Sequence, residues 1–117
     1  MSVSLKQIQC LLILMLVLLV ASVASGSTVE ERDELYQRGR NVLRGKGVAQ
    51  DIPRGLALIK QAAEEGHVDA QLYLAMSYYD GTYGTSDIVQ AVYWLKKAAD
   101  QGSADAFEIL ELLTAEI

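Results

Sequence analysis

Leu72–Ala106 reads LYLAMSYYDGTYGTSDIVQAVYWLKKAADQGSADA, and the chain echoes this pattern 36 residues earlier. With Glu34–Asp69 laid over Ala70–Asp105, Gly45, Asp51, Ile52, Lys60, Ala62, Ala63, Gly66 and Asp69 recur as Gly81, Asp87, Ile88, Lys96, Ala98, Ala99, Gly102 and Asp105. Self-similarity at such a period is the mark of stacked helical repeats, each too small to bury its apolar face alone. Repeat arrays of this kind present surfaces for partners, so the question shifts from which reaction to what is held.

Each copy reads as two short helices around a glycine-bearing turn. Thr28-Val29-Glu30-Glu31 has capping-box spacing, which predicts a first helix from about Thr28 to Arg44. At 100° per residue, Leu35, Tyr36, Gly39, Val42 and Leu43 share its apolar face, while Gln37, Arg40, Asn41 and Arg44 face solvent. After the turn at Gly45–Val48, Asp51 is placed to cap a second helix with Pro53 in its first turn, where a missing amide proton costs little. Leu56, Ile59, Ala62 and Ala63 form the stripe of that helix, and Gly66 suits the left-handed residue that closes it. Gly55 reads as a weak point, since an interior helix glycine costs about 1 kcal/mol relative to alanine.

The second copy carries more aromatic mass. Leu72, Tyr73, Met76 and Tyr78 or Tyr79 are expected to line its first helix, and Val92, Leu95, Ala98 and Ala99 its second. Thr82-Tyr83-Gly84-Thr85 departs from the earlier Gly-Lys-Gly-Val turn, so this turn is expected to differ and to expose Tyr83. A last helix, expected over 106–117 with its start near Ser103, has an apolar arc of Ala106, Phe107, Ile109, Leu110, Leu113 and Ile117. The reading is all-α: a short right-handed α-α solenoid of about five helices, with repeats over 34–69 and 70–105 and a C-terminal capping helix, preceded by a lead-in over 25–33.

Outside the array, Lys6, the apolar run Leu11–Val20 and the small residues Ser22-Val23-Ala24 read as an export signal over 1–24. The run is shorter than the roughly 20 apolar residues that cross a bilayer, which favours a cleaved signal over a membrane anchor facing the periplasm. The expected location is therefore periplasmic or secreted. Cys10, the single cysteine, precedes the run and would leave with the signal, so the remaining chain has no disulfide and no thiolate ligand. The formal charge of −5 makes nucleic acid or an anionic membrane a poor partner, since both call for a basic face.

Leu74-Ala75, Tyr78-Tyr79-Asp80-Gly81, Asp87, Ala91, Tyr93-Trp94, Lys97-Ala98-Ala99 and Gln101-Gly102 resemble the Sel1-like repeat, a relative of the tetratricopeptide repeat. Gly39, Gly45–Val48, Asp51 and Ala62–Gly66 match it in the first copy, so the resemblance covers about 34–106. It implies a helical adaptor that binds another protein through a concave, aromatic helical-repeat surface. It also implies, as a narrower alternative, a periplasmic immunity or inhibitor protein that blocks a toxin or lipase effector. Some secreted members rich in cysteine carry a proposed penicillin-binding or hydrolase activity, which the missing cysteine pairs do not support here.

No catalytic, cofactor or metal residues are expected. His67 stands alone beside Gly66 in a turn, with no nucleophile motif, no second histidine and no calcium-loop pattern. Lys46 lacks the longer spacing of a phosphate-cradling loop. An envelope enzyme, peptidoglycan-active or β-lactamase-like, is thus the weaker alternative. Tyrosine and tryptophan are favoured at protein interfaces because they bury large areas and keep a polar handle. Tyr73, Tyr79 and Trp94 are assigned to the core, and Tyr78, Tyr83 and Tyr93 to partner contact. Arg40 and Arg44, on the basic first repeat, join them. An array of two and a half repeats falls short of about three, so the expectation is a marginally stable monomer or a complex, homo-oligomeric or with another protein.

Overall fold

The computed structural model describes residues 4–23 and 28–115. Among these described residues there are six helices: α1 (Leu5–Val23), α2 (Val29–Arg44), α3 (Ile52–Glu64), α4 (Val68–Asp80), α5 (Ile88–Asp100) and α6 (Ala104–Ala115). Among the described residues there is no strand. The expected cleavage position at Ala24, and Ile117 of the last apolar arc, lie outside the described residues. The Leu11–Val17 side chains of α1 are exposed, and among the described residues none of the principal packing interfaces involves this helix.

Short-range chemistry sets where the helices start. Thr28 and Glu31 form the reciprocal capping box, and the Asp51 and Asp87 carboxylates accept from the amides of Arg54 and Gln90 at 3.1 Å each. At α4 the cap is His67, whose Nδ1 accepts from the Ala70 amide at 3.1 Å; at the matching place before α6, Ser103 Oγ accepts from Ala106. The turns repeat as closely as the caps do. Gly45 and Gly81 take the left-handed conformation with φ of 68° and 66°, which only glycine adopts without steric cost. Behind them the Asp51 amide donates to the Val42 carbonyl and the Asp87 amide to that of Tyr78.

The middle of the second turn differs from the first, as expected, but Tyr83 is not exposed by it. A bond from the Gly84 amide to the Gly81 carbonyl tightens the turn, and the half-buried Tyr83 ring folds back so that its hydroxyl meets that of Tyr73.

Packing is between successive helices, α2 on α3, α3 on α4, α4 on α5 and α5 on α6, as a solenoid requires. Ile59, Ala62, Leu95 and Ala98 lie at the centre, each at most 1% exposed, with Trp94, Leu74 and Ala106 around them. The recurrent alanines let neighbouring helices approach closely. Gln71 is buried as well; its amide donates to the Ala63 carbonyl and its oxygen accepts from Gln101, tying the end of one repeat to the end of the next.

Gly55 is not the weak point that its helix propensity suggests. It faces Gly39 across the α2–α3 crossing: a Cβ on Gly55 would lie 2.6 Å from Leu43 Cγ and 2.9 Å from the Gly39 carbonyl, and a Cβ on Gly39 would meet Ile59 and the Gly55 carbonyl in turn. The two glycines allow backbone to approach backbone. Their counterparts in the second repeat are Ala75 and Ala91, both fully buried.

The inward face of α4 also differs from expectation. Ala70, Gln71, Leu74 and Ala75 are buried, while Met76 and Tyr79 are exposed and Leu72 and Tyr73 are half-buried. An internal solenoid helix is covered by both the preceding and the following helix, which turns its buried sector away from a simple apolar stripe. In α6, Phe107 is likewise exposed at 57%, because among the described residues no helix packs beyond it. At the other end, Glu34 and Arg38 of α2 are exposed where Ala70 and Leu74 of α4 are buried. The outer face of the first repeat is thus polar, which is how a terminal repeat ends a stack in water.

Candidate partner-binding site

Between the parallel second helices of the two repeats, α3 and α5, the solenoid leaves a gap that packing between successive helices does not close. Pro53, Leu56, Ala57, Lys60 and Glu64 line one wall, a stripe repeating every three to four residues along α3. Gln90, Tyr93, Trp94 and Lys97 line the opposite wall along α5. Toward the start of α3 the gap opens into a crevice of about 470 Å³, floored by Leu74, Ser77 and Tyr78 of α4 and roofed by Tyr83, Gly84 and Thr85. Toward the end of α3 it becomes a shallower depression of about 320 Å³. Lys60 lines both, so the two adjoin along α3 as one furrow.

The structure therefore brings Tyr78 and Tyr83 together in the crevice and sets Tyr93 in the adjoining depression, 48% exposed and edge-on to buried Trp94 at 5.1 Å. Lys97 lies over the Tyr93 ring at 5.1 Å. Of the three aromatics assigned to the core, Trp94 is buried, Tyr73 is half-buried and Tyr79 is 42% exposed, so that assignment fails for Tyr79.

Arg40 and Arg44 do not line the furrow. Arg44 is exposed, whereas Arg40 is half-buried, with its guanidinium 5.5 Å from the Tyr36 ring centre and its Nε buried without a hydrogen-bond partner. A cation over a tyrosine face at that distance is attracted by the ring quadrupole, so Arg40 is part of the packing and not the solvent-facing residue its helix position suggests. Tyr36 packs in turn against His67 and, edge-on at 6.4 Å, against Tyr73. A line of aromatic contacts thus runs from Arg40 through Tyr36 and Tyr73 to Tyr83 at the crevice.

Burial, and with it the hydrogen bond the Tyr73 hydroxyl shares with that of Tyr83, push the Tyr73 hydroxyl from its ordinary 10.0 up to about 12. Below pH 10 the folded and unfolded chains both hold this proton, and the full contribution to stability is present. Between pH 10 and 12 only the unfolded chain releases it, so stability falls across that window. Urea titrations at pH 9 and pH 11 should show the decline, and Tyr73→Phe should reduce it. The residual decline in that variant comes from Tyr36, whose hydroxyl burial also pushes upward.

Lys60 and Leu56 were missed as site residues in the sequence. The available signal was the Pro53-Leu56-Ala57-Lys60-Glu64 stripe on α3, which turns away from its own core residues Gly55, Ile59, Ala62 and Ala63. Among the described residues no group of three or more histidine, cysteine or acidic side chains is placed to hold a metal ion.

Successive antiparallel helices, caps and turns that recur in register, and a furrow between like helices of neighbouring units define a helical-repeat protein of the solenoid class. The chain belongs to the Sel1 repeat family, whose repeats match residues 35–67 and 68–103. It is 42% identical over 62 residues to the Sel1-repeat-containing protein YjcO of Escherichia coli K12, and equally to YjcO of Shigella flexneri; the match covers 53% of this chain and 25% of each relative. The chain thus spans about a quarter of the length of these relatives. Among solved structures it resembles a Sel1 repeat protein from Oxalobacter formigenes, with a TM-score of 0.66, 26% identity, and 68% of this chain and 60% of that one covered. It also resembles c5321, a protective antigen present in uropathogenic Escherichia coli strains and displaying an SLR fold, with a TM-score of 0.67, 25% identity and coverage of 98% and 21%. The Sel1-repeat fold is typically a protein–protein interaction module, and proteins built on it are generally non-enzymatic scaffolds.

Proposed function

We propose that this chain is an exported, non-enzymatic interaction module that holds a protein partner in the furrow between α3 and α5. The observation that carries the reading is the placement of Tyr78 and Tyr83 in one apolar crevice with Pro53, Leu56 and Leu74. Aromatic anchors at the centre of a preformed depression, ringed by polar side chains, are the usual composition of a binding hot spot. The apolar leader Leu11–Val20 supports export. Tyr93 serves as a contact in the adjoining depression, and Arg40 acts by positioning Tyr36 and not by touching the partner.

Photocrosslinking in the native cells tests this. Benzoylphenylalanine in place of Tyr83 or Tyr93 should give a covalent adduct with a discrete protein, whereas the same group at Glu34 or Arg38, on the polar outer face of α2, should not. Adducts of equal yield at all four positions, or at none, would overturn the proposal.

A further inference from the structure

The furrow has dimensions and a chemical gradient that specify its occupant more closely. From Pro53 to Glu64 its α3 wall runs eleven residue steps, about 16 Å at 1.5 Å per residue. An extended chain rises about 3.3 Å per residue, so about five residues fill that length. The two ends differ in kind. The crevice end is walled mainly by Pro53, Leu56, Leu74 and two tyrosines, with Lys60 and Asp87 at its edge, whereas the other sets Lys60 and Lys97, with Gln90 and a single carboxylate, Glu64, beside Tyr93 and Trp94.

Neither lysine is neutralised within the fold. Among the described residues the one ion pair is His67 with Asp33, so Lys60 and Lys97 have no carboxylate within ion-pair distance. The only other carboxylate at the furrow, Asp87, is engaged with the Gln90 amide as a helix cap. In a chain with fifteen acidic and ten basic residues, two unpaired lysines in one depression form a local positive site on an acidic protein.

Leu56 and Lys60 are one helical turn apart, about 6 Å along α3. In an extended peptide, residues i and i+2 point to the same side and lie about 6.6 Å apart. The two spacings match. Resting on the binding role proposed above, we infer that the furrow takes an extended peptide segment of about five residues, with an apolar side chain seated against Leu56, Tyr78 and Tyr83. Two residues along, an acidic side chain meets Lys60, with Lys97 beyond it.

A random peptide library displayed on phage, selected on the immobilised full chain, tests this. Enriched sequences should share an apolar residue and an Asp or Glu two positions away. A synthetic peptide with that pattern should bind Lys60→Glu about tenfold or more weakly, and reselection on that variant should favour Lys or Arg at the acidic position. Lys60 is exposed, so its reversal leaves helicity intact and circular dichroism serves as the folding control. Enriched peptides that bind Lys60→Glu as well as the parent but lose affinity for Tyr83→Ala would overturn the acidic specificity and leave the binding role standing. No enrichment at all would overturn both.

Discussion

Gly55→Ala should destabilise the folded array by about 1–3 kcal/mol, the opposite of what helix propensity alone forecasts. On an ordinary helix the change would stabilise by roughly 1 kcal/mol, because alanine loses less backbone freedom on folding. Here the new methyl would sit 2.6 Å from Leu43 Cγ and 2.9 Å from the Gly39 carbonyl oxygen. A side-chain tip can swing away, but a helix carbonyl is fixed by its own ladder, so α2 and α3 must separate along their whole contact. Gly39→Ala meets the same obstacle from the other side, with Ile59 and the Gly55 carbonyl in its path. The two effects should not add, since either substitution already forces the helices apart. Urea denaturation followed by far-UV circular dichroism reads the result; an unchanged or raised midpoint for both variants would mean that the close α2–α3 approach is not what the structure shows.

Ile59→Ala should cost more, about 2–5 kcal/mol, because it removes three carbons from a side chain with no exposed surface and leaves a cavity where α2 meets α3. Units in a repeat array are stabilised by their neighbours, so loss of the first repeat withdraws support from α4 and the effect spreads. Urea denaturation should show the loss as a midpoint well below that of the parent chain. Lys96→Ala, at an exposed position on α5, is the control and should change the midpoint by no more than about 0.5 kcal/mol.

Much of this fold was legible in the chain because its signals are local. Capping residues, left-handed glycines and the alanine pairs act within a turn or two, and the 36-residue period places each of them twice. What escaped the sequence depends on which helix covers which face. Gln71 is polar yet buried, and Met76 is apolar yet exposed, because α4 is contacted from two sides at once and its inner sector is set by those contacts. Gly55 read as a defect because its partner, Gly39, is sixteen residues away and meets it only across the helix crossing. The candidate site divides the same way. Tyr78, Tyr83 and Tyr93 stood out by residue type, but that two of them share a crevice while the third lies beyond Lys60 follows from the gap between α3 and α5, which no single helix encodes. Arg40 was read from its helical angle alone, and the Tyr36 ring that holds it belongs to the preceding turn of the same helix.

The furrow between the second helices of the repeats is the surface proposed to hold a partner. Hydrogen–deuterium exchange of the chain, alone and with its crosslinked partner or a selected peptide bound, tests it most directly. Slowed exchange confined to Pro53–Glu64, Tyr78–Asp87 and Gln90–Lys97 is the predicted result. Slowed exchange on α2 and α6, with those three segments unchanged, would contradict the account.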